Sequence, residues 1–260
     1  MRYRWFAALA GAVMLCTVCF GCAKTAPETT ETAPADQPQT EEVEILNYTA
    51  PAKGDTIVRM TVKDYGDVTL RLFPELLPEA CENFTELAKS GYYDELIFHR
   101  VIENFMIQGG DPKGDGTGGA SIWGEKFDGG SSPQLIHVPG ALAYANSAGT
   151  ATDGSQFYIV TGDAVTEDSL STIAEQGGLT FPSQAKTLYY QNGGTPWLDG
   201  GNYTVFGQVI DGLDVVYAIS HVEVGENDKP KKAVYIEKMT VEQYDGSPVR
   251  FYKSDYSGLE

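Results

Sequence analysis

From Thr56 onward the chain alternates apolar and polar residues with a period of two: Ile57-Val58-Arg59-Met60-Thr61-Val62, then a turn-like Lys63 to Asp67, then Val68-Thr69-Leu70-Arg71-Leu72-Phe73. A period of two sends successive side chains to opposite faces, so two such runs joined by a short polar turn predict a β-hairpin. From Pro78 to Ser90 the period changes, and Ala80, Phe84, Leu87 and Ala88 fall on one helical face. Pro78 suits the first turn of that helix and Gly91 its C-cap. Beyond it come short apolar runs separated by glycine-rich turns: Ile97 to Ile107, Ala141 to Asn146, Gln156 to Val160, Thr204 to Ile210 and Val234 to Val241. Gly212 to Ile219 reads as a second helix, placed to cover a barrel opening. Strand–helix–strand crossovers do not recur, so the pattern predicts a mainly β fold, a closed antiparallel β-barrel capped by two helices. Glu167 to Thr195 breaks the pattern: Leu170, Ile173 and Ala174 suggest a turn or two of helix before Pro182 and two glycine pairs intervene. This segment, 167–195, is expected to be an excursion from the barrel.

The N-terminal part follows other rules. Arg2 and Arg4 precede an almost unbroken apolar run from Phe6 to Phe20 that ends in Gly21-Cys22. A basic start, an apolar run and a small residue form the pattern of an export signal. A small residue directly before a cysteine at the end of such a run resembles the lipobox of bacterial lipoproteins, in which that cysteine is acylated. Residues 1–22 are therefore expected to be a lipoprotein signal with Cys22 as the lipidation site. An ordinary cleaved signal and an uncleaved anchor are the alternatives, and the run is short for a span of about 20 residues. Residues 23–50, rich in Thr, Glu, Pro, Ala and Gln, cannot bury enough surface to offset ordering entropy and are expected to be a disordered tether. The folded domain is expected over 51–260. Of the four cysteines only Cys81 lies in it, so a disulfide within the domain is excluded and Cys81 reads as a packed thiol.

The 260 residues suit one domain after the signal and tether are set aside. With 36 acidic and 18 basic residues the formal charge is -18, and loss of Arg2 and Arg4 with the signal takes it to -20. Such a charge disfavours a nucleic-acid partner, since phosphate binding depends on basic clusters. It also leaves membrane attachment to the lipid rather than to electrostatics.

Four blocks carry the chemistry. The first is Phe98-His99-Arg100-Val101-Ile102-Glu103-Asn104-Phe105-Met106-Ile107-Gln108-Gly109-Gly110-Asp111. Gly116-Thr117-Gly118-Gly119 with Ile122-Trp123-Gly124-Glu125-Lys126-Phe127 follows, then Ala145-Asn146 with Gly154-Ser155-Gln156-Phe157-Tyr158-Ile159, then Trp197-Leu198-Asp199-Gly200 with Val205-Phe206-Gly207. Content and order resemble the cyclophilin-type peptidyl-prolyl cis/trans isomerases over roughly Thr56 to Tyr244. Two positions depart from the family pattern: Tyr158 stands where the best-known members carry Phe, and Tyr203, near a position that is often His, lies in a loop one residue longer than usual.

The resemblance implies a cofactor-free enzyme that speeds rotation about X-Pro bonds. That rotation meets a barrier of about 18–20 kcal/mol because the nitrogen lone pair is delocalised into the carbonyl. A cation aimed at the prolyl nitrogen stabilises the localised state more than the planar one, and Arg100, always charged and forked, is the candidate. By the resemblance Gln108 supports Arg100 and the substrate carbonyl, while Phe105, Met106, Tyr158, Leu198 and Tyr203 line the proline pocket. Asn146 holds the substrate chain through its backbone, and Ala145, Gln156, Trp197 and Gly116 border the groove. Trp197 matches a position associated with tight cyclosporin binding, which makes that drug a candidate ligand.

Other motifs are rejected. Gly114, Gly116 and Gly119 have dinucleotide-loop spacing, but no amphipathic helix start follows. Asp111 to Gly116 lacks calcium-loop ligands. His99, His137 and His221 share no metal-ligand spacing, and His99 reads as a satisfied structural side chain. The partners implied are proline-containing exported polypeptides, for a monomer lipid-anchored outside the bacterial cell membrane. Two competing readings are a surface-tethered proline-segment binding module or holdase with little turnover, and an adhesion lipoprotein that uses 167–195 as an interaction loop.

Overall fold

The computed structural model describes residues 42–147, 149 and 151–259. The signal segment with Cys22 and the tether up to residue 41 lie outside the described residues. Eight strands form one antiparallel sheet: β1 (Thr56–Val62), β2 (Gly66–Leu72), β3 (Arg100–Ile102), β4 (Met106–Gly109), β5 (Ala141–Tyr144), β6 (Phe157–Val160), β7 (Val205–Asp211) and β8 (Ile236–Gln243), in the order β3-β4-β6-β5-β7-β2-β1-β8. The first two strands form the predicted hairpin, with Ile57 opposite Arg71 and Val62 opposite Gly66.

The strands curl into an antiparallel half-barrel. Its edge strands β3 and β8 are not laddered to each other; just ahead of them Ile97 and Tyr235 share an isolated bridge, and the Phe98 amide donates to the Val234 carbonyl at 3.0 Å. The core lies inside the curl. Phe84 of helix α1 (Pro78–Lys89) is fully buried against Tyr93, Phe157 and Phe206, with ring centroids 5.2–5.5 Å apart. Such offset and edge contacts add to the burial of large aromatic area.

The expected pair of helices becomes four among the described residues. Besides α1 and the predicted C-terminal helix, here α4 (Leu213–Ser220), the excursion contains α2 (Glu167–Gly177) and α3 (Ser183–Asn192). Thr166 and Ser169 satisfy each other's backbone amides at the start of α2, and Gly178 ends it in the left-handed region at φ 63°. The two stems of the insertion meet where Asp163 bridges to Gly194; a side chain at Gly194 would run into the His137 carbonyl.

The expected tether boundary at residue 50 is also displaced. Ile45 is buried in a small second core with Ile136, Val138, Leu170, Phe181 and Tyr189. Asn47 is fully buried, donating to the Ile136 carbonyl and to Gln208 Oε1 at 3.0 Å each, while accepting the Ile136 amide at 2.9 Å. Residues 43–50 are therefore part of the packed domain. Their apolar content is too thin to be seen locally because the surface that covers them comes from distant segments, residues 134–138 and the insertion among them.

Candidate active site

Strand register creates the site. Arg100 on β3 stands opposite Gln108 on β4, Gln108 stands opposite Tyr158 on β6, and Tyr158 stands opposite Ala143 on β5. Directly paired residues share a face of a sheet, so a cation, an amide and a phenol form a row across three strands. Met106 is two residues from Gln108 and points the same way. The β3–β4 turn is tight enough to place Asn104 at φ 60°, and the Phe105 carbonyl accepts the amides of Thr161 and Gly162, which fixes Phe105 at the rim.

A cleft of about 190 Å³ opens over this row, lined by Arg100, Phe105, Met106, Gln108, Ala145, Asn146, Tyr158, Leu198 and Tyr203. It is smaller than the pockets that hold drug-sized ligands, about 300–1,000 Å³. One ring-sized side chain suits it better than a nucleotide cofactor. The other expected residues lie beside it. Gln156 sits behind Gln108: its Oε1 accepts from Gln108 Nε2 at 2.9 Å, and its own Nε2 donates to the carbonyls of Gly116 and Gly118 at 3.0 and 2.8 Å. Gly116 thus takes part through its carbonyl. Trp197 is not in the wall of the cleft; it is 47 % exposed, with its ring 6.0 Å from that of Phe105.

The Asn146 side-chain amide is committed to the protein, donating to Asp153 Oδ1 at 3.0 Å and to the Asn202 carbonyl at 2.6 Å. This fixes the 145–146 backbone at the cleft and ties the long 199–203 loop to it. Asp153 also accepts from the Gly129 amide and Thr204 Oγ1; burial raises its pKa against the opposing pull of these hydrogen bonds.

Two electrostatic features were not visible in the sequence. Arg100 Nε lies 3.4 Å from Asp228 Oδ2. Asp228 sits in a turn where it and Asn227 both have positive φ, 59° and 58°; the Asn-Asp pair was the available signal, since these residues tolerate that region. His99, expected to be satisfied, is buried with neither ring nitrogen partnered among the described residues. Burial pushes its pKa down, so it stands neutral beside Arg100.

The site therefore has a cation and an amide on one side, aromatic and aliphatic walls on the other, and backbone at the rim. That is the equipment of a cleft that grips a peptide around a ring-shaped side chain. The family model for cyclophilin type peptidyl-prolyl cis-trans isomerases matches residues 57–241, well over half of the chain. A Staphylococcus aureus (strain USA300) protein named as a peptidyl-prolyl cis-trans isomerase is 47 % identical over 178 residues, which covers 68 % of this chain and 88 % of the relative. A Streptococcus pyogenes protein named as a bifunctional phosphatase/peptidyl-prolyl cis-trans isomerase is 45 % identical over 207 residues, or 78 % of this chain and 41 % of that protein. Among solved structures, a cyclophilin type isomerase of Cryptosporidium parvum crystallised in the presence of the dipeptide Ala-Pro has a TM-score of 0.57 and 32 % identity, covering 72 % of this chain and 99 % of that one. The chain belongs to the cyclophilin-type peptidyl-prolyl cis-trans isomerase family.

Proposed function

We propose that this isomerase acts on X-Pro bonds of exported polypeptides outside the membrane, with Arg100 and Gln108 as its catalytic residues. The observation that carries the reading is the row Arg100–Gln108–Tyr158 under a ring-sized cleft. The proline ring enters between Phe105, Met106, Leu198 and Tyr203, with Tyr158 as the floor. The guanidinium faces the prolyl nitrogen as the lone pair localises on it, and the Gln108 amide, held by Gln156, meets the turning carbonyl. A charged donor worth more in the twisted state than in the planar one lowers the barrier without any bond being made. Ala145 and the Asn146 backbone hold the adjoining chain, and Trp197 offers an exposed aromatic face beside Phe105, where cyclosporin would also rest. The Cryptosporidium structure, crystallised in the presence of the dipeptide Ala-Pro, supports a proline-containing ligand.

The export-signal pattern and the Gly21-Cys22 sequence support lipid anchoring at Cys22 outside the bacterial cell. Closure of the curled sheet into a barrel is supported by the Ile97–Tyr235 bridge between the approaches to its edges. The test is the cis-to-trans rate of a short X-Pro peptide with the full chain, wild type and Arg100→Ala. Acceleration that collapses in the variant supports the assignment. Acceleration retained in the variant refutes Arg100, and no acceleration by a folded wild type would favour the binding module. Labelled-lipid incorporation in wild type but not in Cys22→Ser tests the anchor.

A further inference from the structure

Tyr158 presents its ring to the cleft, while its hydroxyl is tied to protein. The hydroxyl lies 2.9 Å from Nε2 of His137, whose ring is nearly parallel to that of Tyr158, with centroids 6.1 Å apart and an interplanar angle of 10°. His137 is 2 % exposed. Its Nδ1 lies 2.7 Å from Asp199 Oδ1, and the same oxygen accepts its backbone amide at 3.0 Å. The other carboxylate oxygen, Oδ2, accepts the Tyr189 hydroxyl at 2.5 Å, and that hydroxyl also accepts the His137 amide at 3.1 Å. Tyr189 belongs to α3 and is fully buried.

The contacts define a consistent chain: in the tautomer that donates Nδ1–H to Asp199 Oδ1, Nε2 is the acceptor and the Tyr158 hydroxyl donates to it. Burial, with Tyr203 and Asp199 nearby, raises the Tyr158 pKa, which keeps its phenol protonated for that role. Asp199 directly follows Leu198, itself a wall of the cleft, so one short turn supplies both a wall and the carboxylate behind it. A Phe at position 158 could make no such bond. The departure at Tyr158 and the insertion at 167–195 are thus joined physically: one ends and the other begins the same chain of hydrogen bonds.

We propose that Tyr189, Asp199 and His137 are positioning residues that hold the Tyr158 ring, so that the 167–195 insertion sets the shape of the prolyl cleft. The proposal rests on reading the cleft as the prolyl site. Tyr158 touches the proline ring in the ground state and the transition state alike. Loosening it therefore removes uniform binding and raises KM while leaving kcat nearly constant. A lost hydrogen bond of ordinary strength corresponds to about a fivefold rise in KM.

The experiment is a double-substitution cycle on the full chain: kcat and KM on an X-Pro peptide for wild type, Tyr189→Phe, Tyr158→Phe and the double variant, with a thermal melt of each. Tyr189→Phe should raise KM about fivefold with kcat within about twofold, and should raise it no further once Tyr158 is Phe. Independent effects that multiply in the double variant would overturn the proposal, as would a Tyr189→Phe enzyme with a lowered Tm and an unchanged KM. Should Tyr189→Phe fail to fold, Asp199→Asn takes its place in the same cycle: a KM rise that vanishes when Tyr158 is Phe supports the proposal, and effects that multiply overturn it. Wild-type turnover separates two kinds of failure. An inactive wild type overturns the prolyl-cleft reading and this proposal with it; an active wild type with multiplying effects overturns the positioning role alone.

Discussion

Replacing Asp228 with asparagine should make the enzyme faster. The Asp228 carboxylate lies 3.4 Å from Arg100 Nε, and it opposes catalysis in two ways that have the same sign. With Arg100 as the proposed catalytic cation, the carboxylate would compete with substrate for the guanidinium, and its negative charge would offset the positive potential presented to the prolyl nitrogen. At 3.4 Å two unit charges interact by about 1 kcal/mol in bulk water and by about 5 kcal/mol at an effective dielectric of 20. The side chains are 42 % and 45 % exposed, so the lower limit governs, and measured exposed pairs contribute about 0.2–1 kcal/mol. Transferred to the transition state, the upper end of that range is about a fivefold gain in kcat/KM.

Asparagine isolates the charge, because it keeps the shape of the side chain and tolerates φ near the observed 59°. Stability should change by less than about 1 kcal/mol, since what is lost is one exposed ion pair. The assay is the isomerisation rate of an X-Pro peptide at rising salt. The Debye length falls from about 10 Å at 0.1 M to about 3 Å at 1 M, so the advantage of Asp228→Asn over wild type should shrink towards unity. A fall in kcat/KM would refute the reasoning and make Asp228 a support for Arg100. A gain independent of salt would show that loop geometry, not charge, produced it.

Three further outcomes are expected. Gln156→Leu frees the Gln108 amide and leaves the Gly116 and Gly118 carbonyls without their donor; kcat should fall about tenfold and stability by about 1–3 kcal/mol, read by kinetics and urea unfolding. Burial works to raise the Asp111 pKa, but the amides of Lys113, Asp115, Gly116 and Gly118 outweigh it and hold the group below its usual value. A depressed carboxylate stabilises the fold above its unfolded pKa and loses that contribution as pH falls through the folded value, so stability should drop below about pH 4 in wild type and less steeply in Asp111→Asn, as denaturant midpoints at pH 7 and pH 3.5 would show. A chain beginning at residue 51 loses buried Ile45 and the three hydrogen bonds of Asn47, and its unfolding free energy should be lower by roughly 2–4 kcal/mol than that of a chain beginning at residue 43.

What could be read in advance divides along the range of the interactions. The β1–β2 hairpin and α1 were legible because each carries its own periodicity, and α1 ends at Lys89, with Gly91 at φ 71° just beyond it. The cleft residues were legible because dense motifs carried them, and nine of the twelve named line the cleft directly. The helices of the insertion were only hinted at: α3 buries just Ala185 and Tyr189, too narrow a stripe to announce a helix. Residues 43–50 read as tether because Ile45 is covered by residues more than ninety positions away, and its amide is held by Gln184 Oε1 at 2.9 Å. Local composition cannot report a partner supplied by a distant segment. Asp228 and Asp199 escaped for the same reason: each matters only through a side chain on another element.

The geometry also divides the site by kinetic role. Isomerisation needs one charge placed against one nitrogen and a ring held still, with no bond to make. On the proposed assignment, Arg100 and Gln108, backed by Asp228 and Gln156, face the atoms whose electron distribution changes, so perturbations there should appear in kcat. On the same assignment Tyr158, backed by His137, Asp199 and Tyr189, faces a ring that is the same in both isomers, so perturbations there should appear in KM. The two sets meet at the β4–β6 pairing of Gln108 with Tyr158. Variants drawn from opposite sides should therefore combine additively in free energy, and variants within one side should not. Strong coupling between Gln156→Leu and Tyr189→Phe would mean that the sheet, rather than either hydrogen-bond chain, is what sets the cleft.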